Sequence, residues 1–415
     1  MTFLRCLPRL FLAACLWHAG LTGALAGEPA GVLASVPAGE PAGVLAGEPA
    51  GVLASVPAGV LADKPAGALM AELADEPAAE PADILAAEPA RCMADGSQAR
   101  HVVDMAGRAV TLPHEARRIA TVGSVPVING YLLALGVGER IVNGLPSRFA
   151  ASGRWRLLAA VAPYLAGRPV LQGQGGGQVS IENLVRLDPD VVITMNLLEL
   201  RALEKARVPA VYLEWADSSD IRASMRILGC LTGRESRGEA YLRYLDDTME
   251  RLREALDRLP PGDPPKVLYF NPHTMSTPLR IADWWIEQAG GRSATAGAAQ
   301  GGNAQYSHER VLLWNPDVLI VNSPEQVAAV YQDPRFSGLG AVRDRRVYAV
   351  PMGVHSWGQR TVEQPLAVLW AATVFHGRHL ARIDMKDEIR NFYRRFFDYA
   401  LSDDEIRAVF EGGPG

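Results

Sequence analysis

The sequence predicts an α/β protein of two lobes with mostly parallel sheets, joined by a long backbone helix, with a ligand cleft between the lobes. Three observations carry this. Short runs rich in Val and Ile alternate with helical patterns in residues 101–219 and again in 261–415, and buried strands alternating with helices make a parallel sheet. Between them, residues 220–260 are almost wholly helical: "RGEAYLRYLDDTMERLREALDRL" (237–259) is a long amphipathic run stopped by Pro260-Pro261. One segment occurs in both halves, "VSIENLVRLDPDVVI" (179–193) and "YSHERVLLWNPDVLI" (306–320), aligned without a gap.

In chain order, residues 1–26 read as an export signal. Arg5 and Arg9 form a basic start, a mostly apolar stretch follows, and Ala24-Leu25-Ala26 is a cleavage site. A competing reading makes Leu12-Ala13-Ala14-Cys15 a lipoprotein box with Cys15 lipidated, although only five residues separate Arg9 from Cys15. Either route takes the chain out of the cytoplasm. Residues 27–100 are a low-complexity tether in which "GEPAGVLA" starts at Gly27, Gly39 and Gly47. Proline in every copy blocks helix propagation, and without aromatics the repeats build no core.

Strands are predicted at "RIATVG" (118–123), "DVVITM" (190–195) and "PAVYLEW" (209–215) in the first lobe. The second lobe supplies "KVLYFN" (266–271), "DVLIVN" (317–322) and "RVYAVP" (346–351). Closing helices follow, and Ser402 with Glu405 makes a capping box. The duplicated segments begin with Ser180 and Ser307, good N-caps, and carry Glu182 and Glu309 in the first turn, where an acid suits the helix dipole.

Composition narrows the function. With 41 basic and 46 acidic residues the chain lacks the basic surface of a nucleic-acid binder. Its four cysteines, Cys6, Cys15, Cys92 and Cys230, include no CxxC, which argues against a zinc ribbon or an iron–sulfur cluster. Export would put Cys92 and Cys230 in an oxidising compartment, and whether they pair is left open.

From "DMAGRAVTLP" (104–113) through "RIATVGSVPVINGYLLALGVGERIVNG", the paired segments, "FSGLGAVRDRRVYAVP" (336–351) and "FYRRFFDYALSDDEI", the chain resembles the substrate-binding proteins of iron-chelate and cobalamin ABC importers. The resemblance implies a non-enzymatic periplasmic receptor without a resident cofactor, whose partners are a membrane permease and its ATPase. It also implies that Glu182 and Glu309, one on each lobe tip, dock onto arginine pockets of the permease. A two-subunit permease gives the duplication a reason that helix capping lacks.

Ligands of open α/β sheets bind beyond the carboxyl ends of the strands. That rule selects Ser124, Asn196 and Trp215 in the first lobe, and His273, His355, Trp357 and Arg360 in the second. Arg360 suits an anionic group, Trp215 and Trp357 suit flat apolar walls, and His273 or His355 suits a metal. The expected ligand is a metal chelate of the ferric-siderophore kind, with cobalamin, haem and an oxyanion such as molybdate as alternatives. A bare zinc ion is disfavoured, since four convergent ligands are not apparent. An envelope metalloenzyme using His273, His308 and His355 is the rival class, without HExxH or a nucleophile elbow to support it. The glycine-rich "LQGQGGGQVS" (171–180) lacks the Lys and Ser/Thr of a P-loop, and His376 with His379 suits a helix end better than zinc.

Overall fold

The computed structural model describes residues 91–94, 99–150, 153–173, 179–215, 218–277, 281–297 and 304–411, all within one compact unit. The export signal with Cys15, the repeats of 27–90 and the glycines of 174–178 lie outside these residues.

The first lobe opens with an antiparallel sheet, β1 (Arg91–Ala94), β2 (Arg100–Val103) and β3 (Ala109–Leu112). Its parallel sheet follows: β4 (Ile119–Val122), β5 (Val191–Thr194) and β6 (Ala210–Tyr212), in that order across the sheet. Helices α1 (Val125–Ala134), α2 (Ser147–Ala150), α3 (Arg156–Val161), α4 (Ile181–Arg186) and α5 (Leu197–Lys205) connect these strands. Then come α6 (Ser218–Leu231) and the 23-residue α7 (Glu235–Asp257).

The second lobe has β7 (Lys266–Tyr269), β8 (Ser276–Thr277), β9 (Arg292–Ser293), β10 (Ala304–Gln305), β11 (Val318–Val321) and β12 (Val347–Ala349). Its main sheet runs β12-β11-β7-β9, all parallel. Around it lie α8 (Ile281–Gln288), α9 (His308–Trp314), α10 (Pro324–Gln332), α11 (Gly340–Arg343), α12 (Gln364–His376), α13 (Met385–Phe396) and α14 (Asp403–Glu411).

The central strands are mostly apolar and buried because both faces are covered. Along β11, Val318 and Ile320 enter the core shared with α7 and α12, while Leu319 and Val321 enter a second core with Phe270 and Phe336. In β4, Ile119 joins the shared core and Ala120 and Val122 the opposite one.

Helix α7 ties the lobes together. Its Tyr241 and Tyr244 rings pack on Phe396 of α13 with centroids 5.5 and 5.4 Å apart, and the Tyr241 hydroxyl donates to the Val362 carbonyl at 2.7 Å. Arg237 reaches both sides, donating from Nε to the Ala134 carbonyl at 2.7 Å and from Nη2 to the Phe396 carbonyl at 2.9 Å.

All six predicted strands and the backbone helix form where expected. Two expectations change. The helical stretch 220–260 is two helices, broken at residues 232–234. The tether does not extend to residue 100: Arg91–Ala94 is already a strand, paired antiparallel with β2 and held by a Cys92–Cys230 disulfide to the end of α6. The low-complexity composition upstream concealed that strand, because its partner and its staple are both distant in sequence. "DMAGR" also finds its reason here. The Asp104 carboxylate, 1 % exposed, accepts from the Ala106, Arg108 and Tyr212 backbone N–H groups and pairs with Arg108 at 2.6 Å, fastening the hairpin to β6.

Candidate ligand cleft

Ser124 after β4 and residues 154–155 meet Asn322 after β11 and the loop after β12, and each lobe sends an arginine across to the other. From the second lobe, Arg360 Nη2 donates to Ser124 Oγ at 3.4 Å. From the first, Arg154 Nη2 donates to the Asn322 carbonyl at 2.7 Å, at the end of β11. Beside them the Trp155 ring meets His355 edge to face, 5.3 Å between centroids, and Phe149 packs on Trp155 at 4.7 Å.

Ser124 reaches this position because it is an N-cap that does not cap: its side chain makes no bond to the start of α1. The preceding Gly123 has φ +75°, a conformation only glycine adopts without strain, and a Cβ there would lie 2.8 Å from Glu199 Oε2. The turn is held from behind. The Gly123 N–H donates to Gln172 Oε1 at 2.9 Å, Gln172 Nε2 donates to Glu199 Oε1 at 2.6 Å, and Thr194 Oγ1 donates to Glu199 Oε2 at 3.1 Å. Burial raises the Glu199 carboxyl above its ordinary value.

The second-lobe loop, running from the end of β12 to α12, is fastened from inside by Glu363. Arg360 sits where its charge acts on Tyr131, Tyr212 and His355. Burial, with a smaller contribution from Arg360, pushes the His355 imidazole down to about 4, so the ring is neutral at physiological pH. Its Nδ1 lies 3.2 Å from the Ser356 carbonyl. On the same side, Tyr269 Oη donates to Asn322 Oδ1 and accepts from Gln359 Nε2 at 2.9 Å.

The structure thus brings Ser124, His355 and Arg360 together and deals differently with the other expected residues. Asn196 is exposed, and its Oδ1 accepts from the Leu198 and Glu199 N–H groups, so it caps α5 instead of facing a ligand. Trp357 is 1 % exposed and packs on Phe410 at 6.3 Å, so it forms the loop's interior and not a cleft wall. Trp215, 4 % exposed, is buried against the Tyr131 ring, the two tilted by 42° with centroids 4.9 Å apart. His273 is exposed on a tight turn whose N–H groups are capped by Asn271 Oδ1. Sequence reasoning missed Arg154, Trp155, Tyr269 and Gln359. Among the described residues no group of three or more His, Cys, Asp or Glu could hold a metal ion, so His273, His308 and His355 form no such group.

Ser180 and Ser307 cap α4 and α9 as expected, each accepting from a backbone N–H at 3.3 Å. Glu182 and Glu309 are exposed. Glu182 pairs with Arg186, while the Ser307 hydroxyl and backbone hydrogen bonding hold the Glu309 carboxyl below its usual value. The Ser402–Glu405 capping box is complete, with Oε2 accepting from the Ser402 N–H at 2.8 Å. His376 Nε2 lies 3.2 Å from the Ala289 carbonyl, a packing role.

Two parallel-sheet lobes on one long helix, with polar side chains meeting between strand ends, are the architecture of the two-lobed periplasmic binding proteins. The periplasmic binding protein family model matches residues 160–352. The chain is similar to a periplasmic solute-binding protein from Veillonella parvula, 26 % identical, with TM-score 0.64 over 75 % of this chain and 97 % of that one. The molybdate-binding protein MolA of Haemophilus influenzae is 22 % identical over 250 residues, 53 % of this chain and 70 % of that protein. The structure of MolA bound to molybdate gives a TM-score of 0.64 at 19 % identity, covering 73 % of this chain and 99 % of that one. No helix among the described residues is long and apolar enough to cross a membrane.

Proposed function

We propose that the protein is the solute receptor of an ABC importer that captures a compact anionic ligand in the periplasm and delivers it to a membrane permease driven by its ATPase. The reciprocal arginines carry this reading: Arg154 and Arg360 cross between the lobes in opposite directions, to Asn322 and to Ser124, so closing the lobes and surrounding an anion are one movement. The 3.4 Å contact between Arg360 and Ser124 favours a small oxyanion over a broad corrin or haem. The likeness to a molybdate-binding protein, in sequence and in fold, points the same way. A second reading keeps the ferric chelate, because Phe149, Trp155 and His355 cluster aromatic rings against which a catecholate would pack.

Calorimetric titration with molybdate, a ferric catecholate, cobalamin and haem separates these ligands. Arg360→Ala and Arg154→Ala should each weaken the anion that binds by about 1.5–3 kcal/mol, the scale of a hydrogen bond to a charged group. Unchanged affinity in both would refute the reading.

The exposed Glu182 and Glu309 serve as the two docking points for the permease, since rim charges set partner recognition. Glu182→Arg with Glu309→Arg should preserve ligand affinity and abolish uptake. Normal transport by that double variant would remove the docking role. Residues 27–90 act as a spacer, and the mass of the mature protein distinguishes cleavage after Ala26 from lipidation at Cys15.

A further inference from the structure

Behind the loop that carries Arg360 lies a carboxylate with no place in the cleft itself. Glu363 is 0 % exposed, and burial pushes its carboxyl up to about 7. Both oxygens face the loop. Oε2 accepts from the His355 backbone N–H at 3.0 Å and Oε1 from the Tyr393 hydroxyl at 2.6 Å. That hydroxyl accepts in turn from the Val354 N–H at 3.0 Å, so one carboxylate organises two successive loop amides, the second through Tyr393. Gly353 completes the enclosure, for a Cβ at that position would lie 1.9 Å from Oε1.

The titratable groups around this cluster come from three directions. Tyr393 on α13 makes the direct contact, with Glu405 beyond it acting on the same tyrosine. Tyr241 on α7 interacts with Glu363 electrostatically. His355 and Arg360 lie on the loop itself.

We infer that Glu363, as the carboxylate, is a positioning residue for solute capture: it fixes the shape of residues 353–360 that brings Arg360 to the cleft. The inference rests on the cleft being the solute site. An ionised carboxylate only accepts, which matches the donors that meet it. A neutral amide of the same size would turn a donor toward either the Tyr393 hydroxyl or the His355 N–H, and the loop would lose one of its anchors. The same exchange removes the cost of burying a charge. Stability and affinity should therefore move in opposite directions, which a side chain with a merely structural role would not produce.

The test compares Glu363→Gln with the parent full-length chain at pH 8. Three quantities are measured: Tm, ligand-free hydrogen exchange at the Val354 and His355 amides, and calorimetric affinity for molybdate and a ferric catecholate. The expected result is a Tm equal to or above the parent's, with exchange at both amides faster by about tenfold or more. Affinity for the probe that the parent binds should be weaker by about tenfold, the scale of one hydrogen bond to a charged group. Unchanged exchange overturns the inference whatever the ligand, and so does unchanged affinity for a probe the parent binds. A Tm that falls along with affinity makes Glu363 merely structural and also overturns it. If the parent binds neither probe, the solute reading falls and the exchange result alone decides the positioning. Should the glutamine variant not fold, Glu363→Asp keeps the charge but withdraws it from both donors. It should show the same faster exchange, and unchanged exchange there likewise overturns the inference.

Discussion

The two walls of the cleft solve one problem with different hardware. In the first lobe, the turn at Gly123 and Ser124 is short, and its ends are already fixed by β4 and α1. A strut of side chains suffices, running from the Gly123 N–H through Gln172 to a half-buried Glu199. In the second, the connection from β12 to α12 runs from Val350 to Glu363 with little regular structure to order it. There the carboxylate is fully enclosed and accepts a backbone N–H directly. Each wall nevertheless sets a glycine against a glutamate, with a Cβ kept 2.8 Å away in one case and 1.9 Å in the other only by its absence. The longer the loop, the more of its order must come from an interior anchor, because backbone freedom has to be offset residue by residue.

The largest test of this contrast is at the glycines. Gly353→Ala should destabilise the protein by about 3 kcal/mol, the upper range for overpacking, because both the loop and the carboxylate are enclosed. Gly123→Ala should cost about 2 kcal/mol, combining the positive φ with a contact that the half-buried Glu199 can relieve. Denaturant titration of both reads the difference, and equal costs would mean the two loops are equally constrained.

Next is the tyrosine. Tyr393→Phe removes the donor to Glu363 and the acceptor of the Val354 N–H, and should cost about 1–3 kcal/mol for buried partners left unsatisfied. Thr194→Val is the first-lobe counterpart and should cost less, since Glu199 keeps Gln172 as a donor. Reversal of that order in thermal unfolding would make the first-lobe network the tighter one.

The pH dependence is smaller. Burial raises both carboxyls, Glu363 to about 7. Below that value and above the unfolded value near 4.5, the native state binds more protons than the unfolded chain. This contribution to stability is therefore greatest in acid and is lost as pH rises through about 7. The Tm difference between Glu363→Gln and the parent should consequently grow from pH 5 to pH 8, with a smaller change for Glu199→Gln. A difference independent of pH would show that Glu363 does not titrate in this window.

Sequence reasoning reached the architecture because its signals are local: apolar strand runs, the amphipathic period of α7 and the serine caps of α4 and α9. It also placed Ser124 and Arg360 by the strand-end rule, although 236 positions separate them. Asn196 shows the rule's ambiguity, because an asparagine between a strand and a helix is equally the residue of a cap, and capping is what it does. Trp357 and Glu363 show another. A tryptophan in a strand-end loop reads as a cleft wall, and an acid before an apolar helix looks solvent-facing, until the fold encloses both. Arg154 and Trp155 had no signal at all, since residues 147–155 carry no period and acquire their role only when the other lobe arrives.

The Cys92–Cys230 bond has a mechanical consequence. A pull on the chain from the amino-terminal side of Arg91 would otherwise peel β1 from β2 one hydrogen-bonded pair at a time, like a zipper. The covalent link diverts that load into the end of α6, a few residues before the long helix that both lobes share. Tension entering ahead of Arg91 is therefore borne by α6 through a covalent bond, and not by the hydrogen bonds between β1 and β2.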